Sequence, residues 1–303
     1  MLKDFIRLST LILIVSACNA APSPTALPTA QPNQVSQQSP GGAAGMQVVM
    51  VQSVITVGPN RFAIGLLDGD KFVKNARVTL TFYDLNGGQQ KQVGTIPATY
   101  REAPDGFAAM YTVETTFPEA GSWGVAVSGT TSDGKPIDQK VGFDVVSSSP
   151  ELAVGKKAPS ARTPTVDSVG GALKKLSSAP KPNPAFYRLS LDQALTSGKP
   201  TLVQFSTPAF CTSRLCGPVY DVIDRVYPAY ADQVNFIHVE VYKDLPNPDL
   251  SKPQIADAMT AFGLKTEPWT YLLDKNGVVV WRVEGLITTD ELQAALDTLL
   301  KAP

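Results

Sequence analysis

The sequence contains few of the residues that most often build metal and catalytic centres. Its 303 residues include one histidine, three cysteines and five methionines. The 26 Lys and Arg residues nearly balance the 27 Asp and Glu residues, so there is no basic excess to attract nucleic acid. We expect neither a nucleic-acid partner nor a cofactor. We also expect no metal site, because Met46, Met50 and Met110 are scattered and have no His or Cys near them.

The N-terminus has no apolar run long enough to span a bilayer. Lys3 and Arg7 give it a positive start, and the short apolar run at 8–15 is interrupted by two polar residues. This pattern is typical of an export signal. The following sequence, Val15-Ser-Ala-Cys18, resembles the lipobox of bacterial lipoproteins. The resemblance implies that Cys18 carries lipid and anchors the chain to the extracytoplasmic face of the cell membrane. An ordinary signal peptide that contains a cysteine is the alternative.

Three cysteines are an odd number for an exported protein. Lipidation of Cys18 would leave one pair, Cys211 and Cys216, and pairs in exported proteins are usually oxidised or redox-active. After the signal at 1–18, residues 19–45 carry no charge and almost no large apolar side chain. Such a composition cannot bury enough surface to offset the entropy of ordering. We therefore predict a disordered tether.

Residues 46–147 consist of short strand-like runs separated by turn signals. This spacing, without a helical pattern, predicts an all-β antiparallel sandwich. The segment Phe117-Pro-Glu-Ala-Gly-Ser-Trp123 resembles a strand entry in immunoglobulin-like exported domains, including YtkA-like ones. Residues 148–185 are rich in Pro and Ser at their ends, and we treat them as a linker. The runs and the turns between them are as follows: strands at 48–51, 62–66, 78–83, 109–113, 123–127 and 141–145, and turns at 58–60, 68–70, 86–88, 104–106 and 132–134.

Residues 186–303 alternate between helix and strand. Ser190-Leu-Asp-Gln193 is typical of a capping box that opens a helix, and Asp274-Lys-Asn-Gly277 is a strong hairpin signal. The element order α-β-α-β-α-β-β-α predicts an α/β domain with a mixed central sheet and helices on both faces. The predicted elements are a helix from 190 to about 198, a strand at 201–205, a helix at 218–231, a strand at 234–241, a helix at 253–262, strands at 269–273 and 278–283, and a final helix from 288.

This layout resembles the thioredoxin family over nearly all of 186–303. The segment at 154–159, within the linker, is similar to the entry segment of TlpA-like exported members, so packing of this segment on the second domain stays open as an alternative. The strand at 201–205 matches the one that leads to the family's active site, and Thr266-Glu-Pro-Trp269 matches the segment that holds its cis-proline. The resemblance implies a cis Pro268 that faces the cysteines. It also implies that Glu267 and Trp269 lie near a bound substrate, although a tryptophan there is more often part of the core.

The cysteines depart from the family pattern, because four residues separate them instead of two. Residues five apart on a regular helix have Cα atoms about 8.6 Å apart, too far for a disulfide. If the pair is bonded, the intervening residues must therefore form a turn, and the helix must begin near Gly217-Pro218. Cys216 would then lie at the helix N-terminus, where a thiolate is stabilised, and it is our predicted nucleophile. The opposite assignment, with an exposed Cys211 as the attacking sulfur, stays open.

Two further positions bear on mechanism. Gln204 occupies the position where the family usually has a buried Asp that assists proton transfer, and an amide cannot do this. His238 lies in a predicted strand, where a packed or surface histidine is more common than a catalytic one.

The pattern predicts a membrane-anchored, extracytoplasmic thiol–disulfide oxidoreductase that acts on the thiols and disulfides of exported proteins. Two alternatives remain. One is a tethered, non-enzymatic interaction protein in which the disulfide is structural. The other is a copper-binding or metallochaperone-like module.

Overall fold

The structure is a computed structural model that describes residues 45–301. The predicted signal peptide, Cys18 and the tether as far as residue 44 lie outside the described residues. None of the helices within 45–301 combines the length and the apolar content needed to cross a bilayer.

Residues 46–146 form two five-stranded sheets, and we refer to them as the two-sheet region. One sheet has the order β1-β3-β8-β7 with β4 beside β3, and the other has the order β2-β10-β9-β5-β6. All strand pairs are antiparallel except β2 with β10. The strands are β1 Met46–Met50, β2 Ile55–Thr56, β3 Gly58–Asp68, β4 Lys71–Phe72, β5 Arg77–Asp84, β6 Lys91–Pro97, β7 Thr99–Glu102, β8 Ala109–Phe117, β9 Gly121–Thr130 and β10 Pro136–Val146.

Alternating apolar residues explain why the two sheets face each other. In β5, Val78, Leu80 and Phe82 are buried at every second position, as expected for a strand with one apolar face. Phe82 meets Phe62 of the other sheet in an edge-to-face contact, with ring centroids 5.0 Å apart. The turn predicted at 58–60 is wrong, because these residues begin β3 and pair with β8.

The second part of the chain has a four-stranded mixed sheet, as the sequence predicts, and its strand order is β12-β11-β13-β14. Only the pair of β11 and β12 is parallel. The elements are α1 Leu191–Thr196, β11 Thr201–Ser206, α2 Cys216–Tyr230, β12 Asn235–Glu240, α3 Asp257–Ala261, β13 Trp269–Leu273, β14 Val279–Glu284 and α4 Thr289–Lys301.

Helices cover both faces of this sheet because adjacent strand residues point to opposite sides. Leu202 of β11 packs in the cluster that contains α2 and α4 residues, whereas Val203 packs with α1 and α3 residues. Helix α3 is shorter than the predicted 253–262. Its first predicted turn is extended instead, because Ile255 bridges to Tyr242 and the backbone N–H of Lys243 donates to the Gln254 carbonyl at 2.9 Å.

The segment 148–185, which the sequence analysis treats as a linker, packs against the mixed sheet. Lys157 forms an antiparallel bridge with Val278, and the Leu152 backbone N–H donates to the Phe262 carbonyl at 2.9 Å. Buried residues from this segment enter both clusters that flank the sheet, namely Ala158, Ala161, Leu176 and Ala179. The segment is therefore held by main-chain bonds and apolar burial.

The two-sheet region also packs directly on the second part of the chain, and all described residues belong to one compact unit. Ala63 and Met110 belong to the same buried cluster as α2 and α4. Arg61 of β3 forms a buried ion pair with Glu291 of α4, and its Nη2 donates to the Glu291 Oε2 at 3.0 Å. These contacts bring the two-sheet region close to the cysteine-bearing helix.

Candidate redox site

A disulfide joins Cys211 to Cys216 in the loop between β11 and α2. The Cα atoms are 6.0 Å apart, which is within the range for a disulfide. The intervening residues form a turn in which the Arg214 backbone N–H donates to the Cys211 carbonyl at 3.3 Å. Arg214 itself has a left-handed φ of 60°. The chain thus meets the geometric condition derived above, although α2 begins at Cys216, slightly earlier than predicted.

The two sulfurs occupy different environments. Cys216 is the first residue of the 15-residue helix α2 and is 0% exposed. Cys211 is half-buried, and its Sγ lies 3.2 Å from the Ser213 Oγ. The helix N-terminus favours a thiolate on Cys216, as the sequence analysis argues. Exposure favours Cys211, because it is the less buried of the two cysteines.

The segment predicted to hold a cis-proline lies beside the disulfide. The Glu267–Pro268 peptide bond is cis, as the family resemblance implies. A carboxylate oxygen of Glu267 and the two cysteine sulfurs all lie within 4.8 Å of one another. Glu267 is half-buried, and this burial raises the pKa of its carboxyl group. The structure therefore brings three of the predicted site residues together, with Pro268 adjacent to them.

Trp269 is part of the core in this structure. Its side chain is 4% exposed, its ring stacks on Tyr271, and the Arg282 guanidinium lies 5.4 Å from its ring centroid. Its Nε1 donates to the Thr266 Oγ1 at 3.0 Å. The indole thus supports the segment before Pro268, and its burial agrees with the core role that the sequence analysis gives as the more common one for a tryptophan at this position.

A buried carboxylate that the sequence analysis did not identify holds the same segment. Glu284, at the end of β14, accepts a hydrogen bond from the Thr266 hydroxyl at 2.7 Å and another from the Ser53 backbone N–H at 2.8 Å. Burial raises the pKa of this carboxyl group. Because Ser53 precedes β2 and β3, Glu284 connects the two-sheet region to the residue next to Glu267.

A second buried carboxylate lies at the end of β12. Glu240 accepts a hydrogen bond from the Ser178 backbone N–H at 2.8 Å, and the Ser178 hydroxyl accepts one from the Ala209 backbone N–H at 3.1 Å. Burial raises the pKa of Glu240. This chain of contacts supports the loop that leads to Cys211. Its signal in the sequence is an acidic residue at the carboxyl end of a strand parallel to β11, where α/β sheets place functional groups.

The only histidine is packed beneath this loop. His238 is paired with Gln204 across β11 and β12, and both side chains are buried. Its ring nitrogens contact the Tyr187 hydroxyl at 2.7 Å and the Ser206 hydroxyl at 2.8 Å. Burial lowers the pKa of His238 to about 3, so the imidazole is neutral near neutral pH. This agrees with the expectation of a packed histidine.

The two-sheet region reaches the turn between the cysteines through one aromatic residue. The Arg214 guanidinium lies 5.1 Å from the ring centroid of Phe107, which is 41% exposed. The loop that carries Phe107 is held by Lys74, whose Nζ donates to Glu102 at 2.7 Å. Cation–aromatic contacts of this kind contribute about 0.5–1 kcal/mol at exposed sites. The loop that contains the disulfide is therefore bordered by residues from both parts of the chain.

No protein-family model and no curated protein matches the chain. Among solved structures, a thioredoxin family thiol:disulfide interchange protein from Chlorobium tepidum TLS is similar, with 19% identity, a TM-score of 0.34, and coverage of 49% of this chain and 98% of its own. A thiol:disulfide interchange protein from Bacteroides sp. has 17% identity, a TM-score of 0.33, and coverage of 50% and 93%. CopC from Methylosinus trichosporium OB3b has 18% identity, a TM-score of 0.24, and coverage of 33% and 95%.

The chain is thus similar to thioredoxin-like thiol:disulfide interchange proteins.

Proposed function

We propose that the protein is an extracytoplasmic thiol–disulfide oxidoreductase that uses the Cys211–Cys216 pair. The observation that carries the proposal is the asymmetry of the disulfide. Cys211 is partly exposed, while Cys216 is buried at the N-terminus of a long helix. A disulfide is attacked at its accessible sulfur, and the reaction is faster when the leaving sulfur is a stable thiolate. The pair offers both conditions at once.

The roles of the cysteines follow from this asymmetry. A substrate thiolate attacks the Cys211 Sγ, the Cys211–Cys216 bond breaks, and Cys216 leaves as a thiolate near the helix N-terminus. A second substrate thiolate then attacks the substrate sulfur of the mixed disulfide and releases the Cys211 thiolate. The substrate gains a disulfide and the protein gains two electrons. The same steps in reverse reduce a substrate disulfide. This is the assignment that the sequence analysis left open, and the burial of Cys216 favours it.

Single-cysteine variants test these roles. With Cys216→Ser, the Cys211 thiolate attacks a model peptide that contains a disulfide, forms a mixed disulfide and releases a peptide thiolate. No second cysteine resolves this mixed disulfide, so the variant should accumulate covalent complexes. With Cys211→Ser, the remaining sulfur is buried, so few complexes should form. Non-reducing electrophoresis followed by mass spectrometry measures both, with the double variant as the control. More trapping by Cys211→Ser than by Cys216→Ser would reverse the roles.

A lipid anchor at Cys18 would hold this site outside the membrane. The proposal rests on the lipobox-like sequence before Cys18 and on the tether-like composition of 19–45. Replacing Cys18 with Ser should abolish incorporation of labelled lipid and release the protein from the membrane fraction. Lipid labelling that survives the substitution would disprove the anchor.

A second candidate is a tethered interaction protein in which the disulfide is structural. The complete burial of Cys216 and the amide at Gln204, where an acid would assist proton transfer, both favour it. Titration in glutathione redox buffers separates the two candidates. A redox-active pair should be half-reduced within the glutathione range, whereas structural disulfides have potentials below about −300 mV.

A further inference from the structure

Within the part of the chain that the structure describes, the carboxylate beside the disulfide has no cationic partner. Among residues 45–301, Glu267 takes part in none of the side-chain hydrogen bonds and none of the ion pairs, although it is half-buried. The other half-buried or buried carboxylates described above are bonded, Glu284 to Thr266 and Ser53, and Glu291 to Arg61. A half-buried carboxylate that lies beside two sulfurs and has no charge partner among these residues is available as a ligand.

The donor atoms are close enough to share one metal ion. One oxygen of Glu267 and the sulfurs of Cys211 and Cys216 lie within 4.8 Å of one another. In a tetrahedral zinc site, bond lengths of about 2.3 Å to sulfur and about 2.0 Å to oxygen place such donors roughly 3.5–3.8 Å apart. When the disulfide opens, the sulfurs need to separate only to that distance. The 6.0 Å between the Cα atoms does not have to change for this to happen.

The donor set discriminates among metals. Thiolates bind Zn²⁺ and Cu⁺ well, but a carboxylate is a poor ligand for the softer Cu⁺ and an ordinary ligand for Zn²⁺. Hard ions such as Mg²⁺ and Ca²⁺ prefer all-oxygen sites. Two thiolates and one carboxylate therefore suit zinc, with the fourth position left to water, as in zinc sites that have three protein ligands.

We propose that the reduced protein binds one Zn²⁺ through Cys211, Cys216 and Glu267, and that the disulfide form does not. This inference rests on the proposed function, in that the disulfide must be reducible. A thiol reductant supplies two electrons and two protons to open the bond, and Zn²⁺ then displaces the two thiol protons. Zinc would hold the reduced pair in an unreactive form until an oxidant or a chelator removes it.

Zinc competition on the full chain tests the proposal. The protein is reduced under anaerobic conditions, freed of reductant, checked for its thiol content, and titrated with ZnCl₂ against a chromophoric chelator. Reduced wild type should bind one equivalent, and oxidised wild type none at the same site. Co²⁺ in place of Zn²⁺ should give the absorption bands of tetrahedral thiolate coordination, which reports ligation independently of redox activity.

Variants of the carboxylate decide whether Glu267 is a ligand. Glu267→Gln keeps the side-chain shape and should weaken zinc binding by about tenfold or more, a loss of about 1.4 kcal/mol or more, while Glu267→Asp should restore part of it. The control variant Glu119→Gln changes an exposed glutamate that is far from Glu267 in the sequence, and it should bind zinc as tightly as wild type does. Equal affinity in Glu267→Gln, or no zinc on the fully reduced wild type, would overturn the proposal.

The two proposals fail in different ways. A disulfide that resists glutathione but opens with a strong reductant, and then binds zinc, removes the oxidoreductase and leaves the zinc site. If the disulfide exchanges with substrates but the reduced form does not bind zinc, the oxidoreductase proposal stands and the zinc proposal is wrong.

Discussion

Reduction of the disulfide should destabilise the fold only slightly, and the size of the effect can be worked out from the loop it closes. The bond joins cysteines five positions apart. For so short a loop, the chain-entropy relation gives a stabilisation of about 2 kcal/mol. A thiolate at the N-terminus of α2 would offset roughly 0.3–1 kcal/mol of this in the reduced protein. The net loss on reduction should therefore be about 1–2 kcal/mol.

The same figure bounds the reduction potential. Oxidation and folding form a thermodynamic cycle, so a disulfide that stabilises the fold lowers its potential relative to the same pair in the unfolded chain. Since about 1.4 kcal/mol corresponds to roughly 30 mV for two electrons, the potential should lie no more than roughly 45 mV below that of the unfolded dithiol. A disulfide in this position is only weakly protected by folding, as exchange chemistry requires.

Urea unfolding of the oxidised chain and, under anaerobic conditions, of the reduced chain measures the difference in their free energies of unfolding. The expected result is a shift in the urea midpoint with an unchanged dependence of the free energy on urea concentration. The Cys211→Ser, Cys216→Ser double variant is the matched control, because it lacks both the bond and the thiolate. A loss above about 4 kcal/mol on reduction, twice the loop-closure figure, would show that the disulfide is a structural element and would refute the reasoning.

Three further outcomes are expected. The imidazole of His238 should not titrate between pH 8 and pH 5 by NMR, because burial lowers its pKa from 6.5 to about 3. The stability linked to this group is fully present above pH 6.5 and is lost as the pH falls below it, at up to about 1.4 kcal/mol per pH unit. A titration of His238 near pH 6.5 would contradict the packing. Glu291→Gln, which leaves the buried Arg61 without its charge partner, should lower the free energy of unfolding by about 3 kcal/mol, whereas Asp257→Asn in an exposed ion pair should have a much smaller effect. A fragment that begins at residue 180 should have a lower melting temperature than one that begins at residue 148, because the intervening segment contributes buried residues and main-chain hydrogen bonds. Equal melting temperatures would show that the segment is dispensable.

Local signals in the sequence were sufficient for much of the second half of the chain. The capping box at Ser190 is present, and the Ser190 backbone N–H donates to the Gln193 side chain at 3.0 Å. The hairpin at 274–277 joins β13 to β14, and the Gly277 backbone N–H donates to the Asp274 carbonyl at 2.9 Å. These features involve residues a few positions apart, so composition and periodicity report them directly.

Elements that are defined by contacts with residues far away in the sequence could not be predicted from such local signals. Strands β6 and β7 alternate less clearly between apolar and polar residues, and their pairing with β5 and β8 defines them as strands. The segment 148–185 has the composition of a linker, yet its backbone groups find partners on β14 and in the loop after α3. A loop-like composition does not exclude packing when a neighbouring sheet offers free hydrogen-bonding groups.

In the candidate redox site, too, some features follow from the local sequence and others from tertiary packing. The sequence by itself determined which residues are available: two cysteines, a helix start just after the second, and a Glu-Pro pair that resembles a loop of the thioredoxin family. Only the tertiary structure decided that Cys216 is buried, that Glu267 faces both sulfurs, and that Ser53 and Glu284, 231 positions apart, support the loop from the two-sheet region. Accessibility and desolvation arise from every element packed around a group, and no local stretch of sequence contains that information.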